Sequence, residues 1–215
     1  MTKQERAART RRELIRSAAE AFDQHGYAQA RMADISARAG VSSGALHFHF
    51  DNKAALAASV ESEAALALRT TARNAYRGKR NALQALADAT HALADLLRDD
   101  VVVRAGFQLS AGFTHGTGLS LRQEWQSCVQ QLVSQAESEG SLAPGVSPSD
   151  LSTAIMAATT GFEVLGRENR EWLSHSALTG FWRLLLPKLV EPRTLDDLEP
   201  SGTELIIPAQ ASPVA

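Results

Sequence analysis

The sequence predicts an all-α protein: an N-terminal three-helix domain built on a helix-turn-helix, followed by a larger C-terminal helical domain. Three observations lead there. Apolar residues recur every three or four positions along most of the chain, and no strand pattern able to pair with another appears. The stretch Met32–Lys53, MADISARAGVSSGALHFHFDNK, has the outline of two short helices joined by a tight turn. Charge is unevenly placed: residues 1–53 carry 9 Lys and Arg against 6 Asp and Glu, residues 54–190 carry 12 against 13, and residues 191–215 carry 1 against 5.

The whole chain of 215 residues has a net charge of −2, so only the local excess at the N-terminal end fits a phosphate-binding surface. The length suits one or two domains with a real core. One cysteine, Cys128, allows neither an internal disulfide nor a cysteine-based metal site, and a reducing cytoplasm is expected. The charged N-terminus has no apolar core of a signal peptide, and no uncharged apolar run is long enough to span a membrane.

Residues 1–12, MTKQERAARTRR, read as a frayed basic arm, with Arg6, Arg9, Arg11 and Arg12 either solvated or in contact with DNA. Leu14, Ala18 and Phe22 repeat every four residues through a first helix from Glu13 to Gln24; Gly26 ends it and Tyr27 packs back. In the second helix Ile35 and Ala39 face inward. Gly40 stands where the chain must turn with positive φ, which glycine adopts without a Cβ penalty. Val41 fills the corner and Ser42 caps the third helix. Leu46 and Phe50, four apart, share its buried face. Ser43, Gly44, Ala45, His47, Phe48 and part of His49 are left to point outward. Small residues at the start of that helix permit close backbone approach to base edges, and an exposed Phe48 suits contact with thymine methyl groups. An ordinary helical hairpin has the same outline.

Asp51 is the expected cap of a fourth, alanine-rich helix through Leu56, Val60, Ala64 and Leu68 that ends near Tyr76–Gly78. A fifth helix spans Asn81 to Arg98. Residues 100–113 are apolar over helical length and the segment 112–120, GFTHGTGLS, is a glycine-rich loop. Leu121, Trp125, Cys128, Leu132 and Ala136 share one face of the next helix, where Trp125 reads as core or as the wall of a cavity. The run SPSD at 147–150 is a helix start, with Ser147 as cap and Pro148 at the first position. Leu151, Ile155 and Phe162 follow, then a last helix with Leu178, Trp182, Leu185 and Leu189 that Pro187 kinks or ends. Domain limits of 1–52 and 53–190 follow, with 191–215 a disordered, acidic tail holding four of the seven prolines.

The segment GVSSGALHFHFDNKAAL resembles the turn, recognition helix and following helix of the TetR family of bacterial transcriptional regulators, and Arg9–Tyr27 with its HGY ending resembles the family's first helix. The wording ALHFHF, RAGFQLS at 104–110 and Trp125 are similar to one branch, the γ-butyrolactone autoregulator receptors of actinomycetes and their pseudo-receptor relatives. The resemblance implies that Lys53 contacts phosphate. Arg31 stands near where relatives place a capping Thr or Ser, and His47 stands where they usually carry Tyr; both departures put affinity or specificity in question. It implies dimerisation through the last two helices, here Leu151, Ile155, Phe162, Leu178, Trp182 and Leu185. It further implies a ligand cavity, expected to be bounded by Phe107, Gln108, Ala111 and Trp125, with Phe162 closing one side.

A ligand-released repressor is therefore expected, binding a pseudo-palindromic double-stranded DNA operator as a homodimer, with no cofactor, metal or membrane. Its signal would be small and lipophilic, butyrolactone-like or antibiotic-like, and its targets genes of secondary metabolism. Two alternatives stay open: an all-helical enzyme, although no catalytic motif or metal-ligand spacing is present, and a DNA-binding regulator without a small-molecule ligand.

Overall fold

Helix α1 runs from Lys3 to Gln29 in the computed structural model, which describes residues 2–76, 81–111 and 120–203. The basic arm expected to fray is thus helical. Its cause is local: the hydroxyl of Thr2 accepts from the Glu5 N–H at 3.2 Å while the Glu5 carboxylate accepts from the Thr2 N–H at 2.6 Å, a capping box spelled by TKQE. Gly26 interrupts the helix with φ of 73°. There follow α2 (Met32–Arg38), α3 (Ser43–His49), α4 (Lys53–Tyr76), α5 (Ala82–Asp99), α6 (Val101–Ala111), α7 (Leu121–Ser138), α8 (Pro148–Glu168), a 3₁₀ turn (Arg170–Leu173), α9 (His175–Leu189) and α10 (Pro192–Leu195). Asn52, not Asp51, caps α4: its side-chain oxygen accepts from the Ala55 N–H at 2.9 Å. Pro187 lies inside α9 rather than ending it. The carbonyl it would leave without a donor is that of Arg183, on the exposed side. The loop expected at 112–120 lies almost wholly outside the described residues.

The chain divides into two compact units, Met1–Arg69 with Leu96–Trp125, and Thr70–Asp95 with Gln126–Ala215. The first therefore takes in α6 as well as the helix-turn-helix, whereas the linear reading parted them after residue 52. Its core joins Leu14, Ile15, Ala18 and Phe22 of α1 to Ile35, Leu46, Phe50, Leu56 and Val60, with Ala105 and Leu109 of α6. Each fully buried Leu, Ile or Phe contributes about 1.5–3 kcal/mol. The thin, alanine-rich face of α4 has a use here. A Cβ on Gly106 of α6 would fall 2.5 Å from the Cβ of Ala64, so only glycine permits this backbone approach.

In the second unit α5 is buried on all sides from Ala82 to Ala94, including the polar Gln84, Asp88, Thr90 and His91. Buried polar groups need partners. Thr90 takes the indole N–H of Trp182 at 2.6 Å. The others are met by residues 199–203. Gln84 accepts from the Glu199 N–H at 2.7 Å and donates to the Glu199 carbonyl at 3.2 Å. Asp88 accepts from the Thr203 N–H at 2.8 Å, and His91 Nε2 lies 3.0 Å from the Pro200 carbonyl. The tail expected to be disordered from 191 is thus folded to 203, since composition registers its charge and proline but not acceptors waiting on α5. Residues 204–215, with Leu205–Ile207, lie outside the described residues.

Candidate nucleic-acid interface

The turn between α2 and α3 closes as its sequence requires. Gly40 takes φ of 67°; its N–H donates to the Ala37 carbonyl at 3.1 Å and the Val41 N–H to Ser36 at 3.0 Å, the paired bonds of a Schellman motif. Ser42 then caps α3 by accepting from the Ala45 N–H at 3.1 Å. Leu46 and Phe50 are buried against α1 and α4, which fixes the rotation of α3. Ser42, Ser43, Gly44, His47 and Phe48 are exposed, Ala45 and His49 half-buried. Phe48 is 80% exposed, and the His49 ring meets it edge-on at 5.2 Å. Contact with an apolar group such as a thymine methyl would take this ring out of water, which is favourable. Arg31, exposed at the head of α2, makes no side-chain capping bond.

Several basic residues of this unit are otherwise engaged, among them Arg38 of α2, which donates to Glu20 at 3.3 Å and to Gln24 at 3.1 Å. The guanidinium of Arg11 donates to Ser59 at 3.1 Å, lies 3.7 Å from the Glu63 carboxylate and sits 5.2 Å over the Phe50 ring. It braces α1 to α4, and burial raises the pKa of Glu63 against the pull of Arg11 and Arg12. Lys53, expected to contact phosphate, turns inward. Its ammonium donates to the carbonyls of Tyr27, Ala28 and Ala30 at 2.8, 3.1 and 3.0 Å. Arg6, Arg9 and Arg12 remain exposed along α1.

Of the expected effector residues, Phe107 and Trp125 are each 3% exposed in the first unit, and Ala111 is exposed at the end of α6. Gln108 does not present its amide to a cavity but donates to Asp23 of α1 at 3.0 Å. Arg104, one turn earlier, holds the other Asp23 oxygen at 3.2 Å and donates to the carbonyls of Leu97 and Arg98. Sequence periodicity put Gln108 on the right helix but could not show an acceptor on α1. Phe162 belongs to the second unit, where it packs edge-on against Phe181 at 5.7 Å. A groove of about 590 Å³ between α7 and α8, lined by Gln130, Val133, Ser134, Ser152, Thr153 and Met156, includes none of these residues.

The expected dimer residues need correction. Leu151, Ile155, Leu178 and Trp182 are all buried within the second unit; they are core. An apolar period looks the same whether it faces its own core or a second copy, so the sequence could not part them. Phe162 and Leu185 are half-buried. The exposed apolar surface of these helices is instead Val164 and Leu165 of α8, Trp172, and Leu184 of α9 at 81% exposure.

Residues 14–60 match the family of bacterial regulatory proteins called tetR. Over 203 residues the chain is 28% identical to the A-factor receptor protein of Streptomyces griseus, covering 94% of this chain and 71% of that protein. A γ-butyrolactone receptor, an ArpA-like protein, superposes with a TM-score of 0.75 at 28% identity, covering 88% of this chain and 92% of the other. TylP, a TetR regulator from Streptomyces fradiae, superposes with a TM-score of 0.70 at 32% identity, covering 91% and 93%.

Proposed function

The chain belongs to the TetR family of bacterial regulatory proteins and is similar to its γ-butyrolactone receptors; on that premise we propose a homodimeric repressor that binds a pseudo-palindromic operator and is released by a small lipophilic molecule. It is a DNA-binding regulator, not an enzyme. The observation that carries the operator reading is the outward face of α3, with Gly44 and Ser43 at its start and Phe48 standing in water. Such a helix set in the major groove places small groups against base edges and Phe48 against a thymine methyl. Arg31, Arg6, Arg9 and Arg12 supply the charge for phosphate.

A two-fold dimer presents two such helices about 34–36 Å apart, or a little more, which makes the operator two-fold as well. The exposed apolar residues Val164, Leu165, Trp172 and Leu184 support a dimer face on the outer side of α8 and α9. The effector enters near Phe107, Ala111 and Trp125, where apolar walls favour a neutral or weakly acidic molecule of butyrolactone or antibiotic type. It releases DNA only by binding the two conformations unequally. Among the described residues no helix is long and apolar enough to cross a membrane. Genes of secondary metabolism are the proposed targets.

Selection of duplexes from a random-sequence library, followed by mobility shift, tests the first half: a two-fold motif is expected, and recovery of no motif overturns the reading. Adding synthetic γ-butyrolactones of varied acyl chain to the recovered complex tests the second. Release by one of them supports the effector. A complex that resists them and a panel of lipophilic antibiotics alike makes this a regulator without such a ligand.

A further inference from the structure

We infer that Lys53 is a positioning residue which closes the base of the helix-turn-helix, and that DNA recognition depends on it through the angle of α3 rather than through contact with phosphate. The inference rests on the operator-binding reading above.

An ammonium group has three N–H donors and no acceptor. All three directions are taken in this fold. Lys53 Nζ donates to the carbonyls of Tyr27, Ala28 and Ala30 at 2.8, 3.1 and 3.0 Å, and lies 4.5 Å from the centre of the Tyr27 ring. The acceptors are carbonyls at the C-terminal end of α1, where helical bonding runs out and partial negative charge collects. Lys53 itself is the first residue of α4.

Those two places bracket the recognition unit in sequence. Tyr27–Ala30 comes immediately before α2, and Lys53 follows α3 after Phe50, Asp51 and Asn52. One side chain therefore ties the entry of the helix-turn-helix to its exit, across 26 positions of chain at the Tyr27 bond. Inside this loop the buried face of α3 is carried by Leu46 and Phe50, with Val41 packed at the turn before it. Release of the base leaves α3 folded but free to tilt. Base contacts are lost with tilt, whereas phosphate contacts by flexible Arg side chains tolerate it. Tyr27 lends its ring as a lid over the ammonium, with its own ring 5.5 Å from Phe22 in the core.

The test uses the full chain, the duplex motif selected from a random library by the wild-type protein, and a scrambled duplex of equal length. Lys53→Met keeps the aliphatic stem and removes the donors; Lys53→Arg keeps the charge but cannot direct three bonds at three convergent carbonyls. Both are measured at a temperature where circular dichroism shows them folded. The expected result is a loss of about tenfold or more in affinity for the selected motif with each variant, near-unchanged affinity for the scrambled duplex, and an unchanged salt slope. Arg31→Ala is the internal contrast, weakening both duplexes alike and lowering the slope by about 0.9. Three results overturn the inference. Equal loss on both duplexes with a lower slope for Lys53→Met makes Lys53 a phosphate contact. Full motif affinity in Lys53→Arg makes charge sufficient. Lower melting temperature with motif affinity intact makes the clamp merely stabilising. If the wild type selects no motif, the operator reading itself fails.

Discussion

Gln108 of α6 donates its amide to Asp23 of α1 at 3.0 Å, and Arg104 takes the second oxygen of the same carboxylate at 3.2 Å. The two donors sit one helical turn apart, so the carboxylate holds α6 by two points and cannot follow a sliding α6 without breaking one of them. Arg104 also serves the carbonyls of Leu97 and Arg98, which extends the link to the end of α5. Any molecule pressing on Phe107, between these two donors in sequence, acts on a helix fastened to the core of the DNA-reading head. Asp23 and Arg104 are each about one-fifth exposed, so the pair is partly screened. Asp23→Ala should cost about 1–2 kcal/mol, seen as a lower urea midpoint, with the loss shrinking in high salt. An unchanged midpoint would mean that water replaces the node without penalty.

Features set by neighbours in sequence were legible; those set by distant partners were not. Gly40, Ser42 and the SPSD start of α8 could be read because each closes a bond within a few residues. The Thr2–Glu5 box is equally local, but the basic residues around it carry the composition of a solvated arm and mask it. The inward turn of Lys53 was illegible for another reason: its acceptors are backbone carbonyls, which leave no mark on the sequence. The polar residues Gln84, Asp88 and His91 of α5 did leave a mark, a stripe at helical spacing in a stretch, Ala82–Ala94, that is apolar apart from them and Thr90. What was missing was the strap that satisfies it, 115 positions away.

The dimer face is tested by a pair of substitutions that the two assignments treat oppositely. Leu184 is 81% exposed and Leu178 is 1% exposed. Leu184→Asp should give a folded monomer by sedimentation, because the charge meets only a second copy. Leu178→Asp should unfold the second unit, since an unpaired carboxylate in a core costs several kcal/mol. Folded dimers of Leu184→Asp at low concentration would place the interface elsewhere.

The strap makes a stability claim. Asp88 is 1% exposed and accepts from Gln84 and from both the N–H and hydroxyl of Thr203. Ending the chain after Leu195 leaves these buried groups short of partners and should lower stability by about 2–3 kcal/mol. A truncated protein as stable as the full chain would show that water serves α5 equally well.

The same contact region carries a pH dependence of defined sign. Burial lowers the pKa of His91 from its ordinary 6.5, helped by the neighbouring His175 and opposed by the Pro200 carbonyl, Asp95 and Asp88. Below pH 6.5 the unfolded chain then binds a proton that the folded chain resists, so stability rises with pH in that window and is lost as pH falls. His91→Gln should flatten this slope in urea unfolding between pH 5 and 7, a range of about two units around the ordinary value. A slope identical to wild type would assign the acid sensitivity to other groups.

Phe48 offers the sharpest reading of how the head chooses its DNA. It is 80% exposed, its ring is touched by His49 at 5.2 Å, and the helix beneath it is fixed by Leu46 and Phe50. Removing the ring therefore creates no cavity, and Phe48→Ala should leave the melting temperature unchanged or slightly raised. The effect should appear on DNA alone. Loss of an apolar contact with a thymine methyl costs about 1 kcal/mol of discrimination at one base pair in each half-site, with little change in non-specific affinity or salt slope. Repeating the library selection with Phe48→Ala should return the same two-fold motif with one symmetric pair of positions relaxed. Replacing thymine by uracil there, which deletes only the methyl, should weaken the wild type and leave Phe48→Ala indifferent. If both proteins lose equally on uracil, the methyl is read by another side chain and Phe48 faces the sugar-phosphate edge instead.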